Sequence, residues 1–227
     1  ARPEINICTI EDPIEMVEPK FNQMQVQQSI GVDFAAGVRT LLRQDPDIIM
    51  VGEIRDAETA DIAIQAALTG HLVLSSLHTN DAPSAVTRLI DIGMQPFLIN
   101  ATLQGVIAQR LIRTLCVHCK EPTEIDKKAW EEFAKPLKLR MPNKVFKPIG
   151  CDECRHTGFM GRTGIYEILR MDTNIRKSFT TNTNLDEIRA VTLKSDIRAL
   201  KIKKKKKIAD GLTTLEEVYS VLPQQQS

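Results

Sequence analysis

Short apolar runs bounded by turn residues alternate with stretches of helical periodicity from Ile5 to about Asp91. Ile48-Ile49-Met50-Val51 lies between Pro46 and Gly52 and is apolar throughout, as expected of a strand buried on both faces of a parallel sheet. Runs of the same kind occupy residues 5–10 and 72–77. Between them, helices are expected over residues 33–44, 57–68 and 82–92, the second with Ala60, Ile64, Ala67 and Leu68 on one face. Gly93 and Pro96 punctuate the passage to a long helix expected over 97–115, with Leu98, Thr102, Val106 and Leu111 turned inward. Farther on, a helix over 126–135 carries Trp130 and Phe133, Trp130 being the expected anchor of its lobe to the neighbouring one. A strand follows over 163–169, and then helices starting near Asp172, Asn184 and Thr213. Asn184 to Glu187 and Thr213 to Glu216 both have helix-start chemistry. The tail 223–227 is read as disordered.

Alternation of strand and helix implies an α/β fold with a parallel sheet, and ligands of such sheets sit beyond the carboxyl ends of the strands. Glu11, Asp12 and Glu15 follow the first strand, Glu53 and Arg55 the second, and His78 the third, with His71 just before it. Adjacent parallel strands are expected to gather these groups at one rim, where a carboxylate can orient water and a metal can neutralise phosphate charge. Any one of them alone reads as a solvated acid after a core strand or a structural histidine. Arg39 and Arg43 fall four apart on the expected helix 33–44 and so share a face, as nucleotide partners or as solvated helix charge.

The segments Thr9-Ile10-Glu11-Asp12-Pro13-Ile14-Glu15, Leu42-Arg43-Gln44-Asp45-Pro46-Asp47 through Val51-Gly52-Glu53-Ile54-Arg55-Asp56, and Ala67-Leu68-Thr69-Gly70-His71 through Leu77-His78-Thr79-Asn80 closely resemble three family motifs. These are the Asp box, Walker B segment and His box of the secretion superfamily ATPases, the hexameric motors of type II secretion and type IV pilus systems. The resemblance implies a RecA-like P-loop NTPase core that uses ATP and Mg²⁺. It implies Glu15 as general base on the attacking water, Glu53 as the Mg²⁺ or water-positioning carboxylate, and Glu11 and Asp12 as supporting acids. His71 and His78 would sense the terminal phosphate, with Arg39, Arg43 and Arg55 nucleotide-associated. No Gly-x-x-x-x-Gly-Lys-Ser/Thr occurs, so the loop whose amides cradle phosphates is missing. The chain is therefore read as the C-terminal part of a motor subunit, truncated on its N-terminal side and inactive alone.

Cys116-Val117-His118-Cys119 and Cys151-Asp152-Glu153-Cys154 form two pairs of equal spacing. Four thiolates in two short loops suit tetrahedral structural Zn²⁺. A redox role stays open for either pair, and an odd total of five cysteines disfavours a disulfide framework. The tetracysteine element also resembles the family's assembly and export members rather than its retraction motors. The expected organisation is then an ATPase core over 1–115, a zinc lobe over 116–160 and a strand-and-helix C-terminal region over 161–227.

Composition narrows the alternatives. A formal charge of +1 gives no global case for nucleic acid, and 4% aromatic residues give little for base stacking. No apolar run approaches a membrane span. The run Lys203 to Lys207 departs from the family pattern; it is read first as a solvated helix face. A rival reading makes the chain a zinc-organised module that grips nucleic acid or anionic lipid through that run. A third assigns the motor to conjugation or DNA uptake. The resemblance itself implies a homo-hexamer in the cytoplasm, peripheral at the inner membrane, acting on a membrane platform through cytoplasmic adaptor proteins.

Overall fold

The computed structural model describes residues 4–134, 140–178 and 205–221, and its chain divides into two compact units. The helix expected near Asn184, Lys203, Lys204 and the tail 223–227 lie outside the described residues.

The first unit is built on a four-stranded, wholly parallel sheet in the order β2-β1-β3-β4. The strands are β1 (Ile7–Glu11), β2 (Asn22–Gln25), β3 (Ile48–Val51) and β4 (Leu72–Ser75). Helices α1 (Phe34–Leu41) and α2 (Ala57–Leu68) pack on one face. Cys8, Ile10, Ile49 and Val51 of the strands meet Phe34, Val38 and Leu41 of α1 and Ile62 and Ala66 of α2 there. Burial of these side chains removes aliphatic surface from water, and it fixes which face each strand presents. Gly37 lets α1 lie close on the sheet, because a Cβ at that position would collide with the Ile10 side chain. Both helices begin on an aspartate cap: Asp33 accepts from the Ala36 amide at 2.7 Å and Asp56 from the Thr59 amide at 2.8 Å.

The sheet's other face is covered at Thr9 of β1 and open along β3 and β4. Thr9, Met50 and Leu74 lie side by side in register on it, and Leu72 neighbours Ile48. Met50 is 36% exposed, and Leu72 and Leu74 are each 50% exposed.

Helices α3 (Ala82–Asp91) and α4 (Pro96–Thr102) follow β4. The long helix expected over 97–115 ends after its second turn, and the chain then runs as strand β5 (Gly105–Leu115). The correction has a clear cause: burial along β5 alternates residue by residue, with Ile112 buried and Leu111 half exposed, which is a period of two rather than of 3.6. Gly105 opens that strand. Arg176, on α6 (Thr173–Ser178), ties off the end of α4: its guanidinium donates to the carbonyls of Asn100 and Leu103.

In the second unit β5 pairs with β8 (Phe159–Arg170), and β6 (Glu121–Thr123) pairs antiparallel with β7 (Val145–Lys147). Helix α5 (Lys127–Ala134), the helical residues 205–209 and α7 (Leu215–Ser220) complete it. Trp130, the expected anchor, is buried with Phe133, Ile112, Ile165, Ile208 and Val218. Thr214 caps α7, accepting from the Glu217 amide at 3.2 Å. No helix among the described residues is long and apolar enough to cross a membrane.

Candidate functional site

Parallel pairing sets the site. Register Ile10↔Val51 and Val51↔Ser75 brings the carboxyl ends of β1, β3 and β4 to one edge, so the residues that follow each strand are neighbours. The crossing is close: the Gly52 amide donates to the Ile10 carbonyl at 2.8 Å, and the Ser76 hydroxyl to the Gly52 carbonyl at 2.6 Å. A side chain at Gly52 would press on the Ile10 carbonyl and the Phe34 ring.

Glu53 stands at the centre of this edge, its side chain 13% exposed. One carboxylate oxygen takes the Arg55 guanidinium at 2.5 Å, and the other meets His78 Nε2 at 3.1 Å. The hydrogen bond from Arg55 holds the Glu53 carboxyl below its ordinary range; partial burial opposes this, and His78 adds to it. Arg55 is raised in turn, chiefly by Glu53 and in smaller part by Asp12. The Asp12–Pro13 peptide is cis. A cavity of about 250 Å³ opens at this rim among Asp12, Asp33, Arg55, Asp56 and Glu58. Glu11 sits on β1, its Oε1 accepting from Thr9 Oγ1 at 2.6 Å and Gln23 Nε2 at 3.0 Å. Glu15 is exposed on the connection between β1 and β2.

Two expected members stand elsewhere. His71 precedes β4, and a strand advances about 3.3 Å per residue, so His71 and His78 lie at opposite ends of that strand. The His71 ring instead bonds through Nδ1 to the Ala66 carbonyl at 2.9 Å and to Thr69 Oγ1 at 3.1 Å, closing the turn after α2. Likewise α1 stops at Leu41, so Arg43 lies beyond the helix and at the amino end of β3, apart from the Glu53 rim. Arg39 does remain on α1, where it pairs with Glu58 at 2.5 Å; both side chains are mostly in water.

Gln23 and Gln25, which contact this site, were not expected from the sequence. They sit on β2, whose residues Asn22-Gln23-Met24-Gln25 carry none of the apolar alternation that marks a strand.

The second unit holds the four cysteines. Cys116, Cys119, Cys151 and Cys154 have all sulfurs within 4.8 Å of one another. Sγ separations are 3.9 Å for Cys116–Cys151, 3.8 Å for Cys119–Cys154 and 3.8 Å for Cys151–Cys154. A tetrahedral site with Zn–S bonds of about 2.3 Å has sulfurs about 3.8 Å apart, so the donor set fits that ion. Backbone amides of Gly150, Cys151 and Gly158 point at the sulfurs from 3.2 to 3.3 Å. Burial resists ionisation of Cys154, but the amides of Cys151 and Gly158 and the neighbouring thiols outweigh it and push Cys154 down to about 6. At Cys151 a backbone bond favours the thiolate, yet burial and the three surrounding sulfurs push it up to about 11.

Of the lysine run, Lys205, Lys206 and Lys207 are helical, and Lys207 Nζ donates to Thr163 Oγ1 at 2.8 Å. That bond engages Lys207 with β8, while Lys206 stays exposed.

The family profile described as Type II/IV secretion system protein matches residues 1–220. The type IV pilus assembly ATPase TfpB of Acinetobacter baylyi is 56% identical over 223 residues, covering 98% of this chain and 38% of that protein. The type II secretion system ATPase E of Vibrio cholerae is 46% identical over 218 residues, covering 96% of this chain and 43% of that protein. Among solved structures, the pilus retraction motor PilT with bound ADP superposes with a TM-score of 0.67 at 29% identity, over 97% of this chain and 53% of that one. The chain thus spans less than half the length of the two curated relatives.

Proposed function

The chain belongs to the type II/IV secretion system protein family, and from that premise we propose that it is the C-terminal part of a hexameric ATPase powering type II protein secretion or type IV pilus assembly from the cytoplasmic side of the inner membrane. The observation that carries this reading is the meeting of Glu53, His78 and Arg55 beside the Asp-box carboxylates at one edge of a parallel sheet. ATP is the substrate, and Glu53 is the residue to hold Mg²⁺ or position water. Glu53 would hold Mg²⁺ there, and the ion would supply charge neutralisation for the phosphates. Glu15 takes the proton of the attacking water. His78, linked to Glu53, responds to the terminal phosphate. Arg55 is poised between Glu53 and Asp12 and can exchange either carboxylate for phosphate oxygens.

The phosphate-cradling loop comes from polypeptide outside this sequence, as the greater length of the relatives supports, so the chain alone does not turn over ATP. Membrane-platform and adaptor partners belong to that longer protein. Cys116, Cys119, Cys151 and Cys154 hold Zn²⁺ with no open position, which makes the metal structural.

The test uses the full-length protein. Glu53→Gln is expected to retain ATP binding and to lose hydrolysis by about 10²-fold or more, the usual cost of removing such a group. Turnover equal to that of the unaltered protein overturns the assignment.

A further inference from the structure

We propose that Gln23 and Gln25 are positioning residues that hold the Asp-box loop, and with it Glu15, in place for hydrolysis; this rests on the reading of Glu15 as the base. The two glutamines alternate along β2 and therefore project from one face of it. They grip the loop on either side of Glu15. Gln25 Oε1 accepts from the Ile14 amide at 3.3 Å, and Gln23 Nε2 donates to the Met16 carbonyl at 3.0 Å. Gln23 makes two more bonds, its Nε2 donating to Glu11 Oε1 at 3.0 Å and its Oε1 accepting from the Glu18 amide at 2.6 Å.

The residues before and after Glu15 are thus both tied to β2, while the Glu15 side chain is left in water. Register strengthens the arrangement. Thr9 lies beside Gln23 and Glu11 beside Gln25, so a polar ladder of Thr9, Glu11, Gln23 and Gln25 runs across one sheet face to the rim. Thr9 is 1% exposed, which seats the ladder's inner end firmly. A strand rich in glutamine gains little from hydrophobic burial. It has an evident use if its side chains complete the backbone bonding of a loop that has no secondary structure of its own.

Placing a base within reach of water is sensitive to displacement, and an error of about 1 Å can cost on the order of 10²-fold in rate. In the full-length protein, Gln23→Ala is expected to lower kcat by about 10- to 100-fold with KM for ATP within about twofold, because the loop aims the base and does not hold the nucleotide. Hydrogen exchange at the Glu18 amide should rise at least about tenfold once its acceptor is gone. Gln25→Ala, which removes the acceptor for the Ile14 amide, should lower kcat in the same way. Gln23→Glu keeps the Glu18 bond, loses the Met16 bond and sets a charge against Glu11; it should be as slow as Gln23→Ala, with Glu18 still protected. Unchanged kcat in Gln23→Ala, unchanged exchange at Glu18, or a KM that rises in step with the fall in kcat/KM each overturns the proposal. Glu15→Gln separates the two layers. If it still hydrolyses ATP at the normal rate, the base assignment and the positioning role fall together. If it is inactive while Gln23→Ala is fully active, only the positioning role falls.

Discussion

Two glutamates among the described residues have their carboxyl groups lowered by an arginine, and their positions separate their roles. Glu53 meets Arg55 and His78 past the end of β3, where strands converge and a substrate can approach. Glu217 meets Arg113 within the second unit, accepting from its side chain through Oε1 and from its backbone amide through Oε2 at 3.2 Å. Arg113 also lies 4.1 Å over the Phe159 ring. That pair ties β5 to α7 within the second unit, and we read it as structural. Its hydrogen bond from Arg113 is the main cause that holds Glu217 below its ordinary value of 4.5, against the effect of burial. A carboxyl lowered in the folded state binds protons less tightly than in the unfolded chain. Its stabilisation is therefore present above pH 4.5 and is lost as pH falls through the lower folded value. Glu217→Gln should lose about 1–2 kcal/mol at pH 7, the worth of charge-assisted bonds, and should lose less further stability than the unaltered protein on moving to pH 3. Thermal unfolding at the two pH values checks this; parallel losses in both proteins remove the pair from any role in acid stability.

The cysteine lobe depends on short elements that carry little core of their own. Strands β6 and β7 have three residues each, and the thiols lie at a turn over 117–119 and a single 3-10 turn over Asp152–Cys154. On the proposed reading, a shared Zn²⁺ would hold such pieces together more than packing does. Zinc analysis of freshly purified protein should find one equivalent. Chelation, or Cys151→Ser, should lower the unfolding temperature of the second unit while leaving the parallel sheet intact; unchanged melting after complete zinc loss overturns the structural role. These turns were legible beforehand because matched Cys pairs are a covalent pattern independent of neighbours. Strand β3 and helix α2 were legible for another reason: Pro46, Gly52 and Asp56 punctuate them, and the apolar period within each admits one solution. Residues 105–115 admitted two. Leu98, Thr102, Val106 and Leu111 fit a helix as spacing, and pairing with β8 decided for the strand. Strand β2 was illegible for the opposite reason, since its stabilisation comes from backbone pairing to β1 and from polar side chains that no hydrophobic pattern records. The same limit hid the site's layout in part. Motif order puts Glu53 and His78 at one rim, and they meet at 3.1 Å; it groups His71 with them although that residue precedes the strand, which in a parallel sheet is the opposite edge from the residues that follow it.

A parallel sheet is stable in water when both faces are covered, and here α1 and α2 cover one. Across the other, Met50, Leu72 and Leu74 form an apolar strip that stays largely exposed. The relatives are more than twice as long as this chain, and we assign the covering of that strip to the remaining polypeptide of the full-length protein. The assignment gives one substitution opposite effects in two settings. In this chain alone, Leu74→Asp removes apolar surface that already faces water and should raise solubility and reduce binding of a hydrophobic dye, with little change in unfolding temperature. In the full-length protein, if the remaining polypeptide covers the strip as assigned, a charge there would lose the roughly 1.5–3 kcal/mol of a buried leucine and add the cost of an unpaired carboxylate. That protein should melt markedly lower or fail to accumulate. Equal tolerance of Leu74→Asp in both settings means the strip remains in water throughout and overturns the assignment.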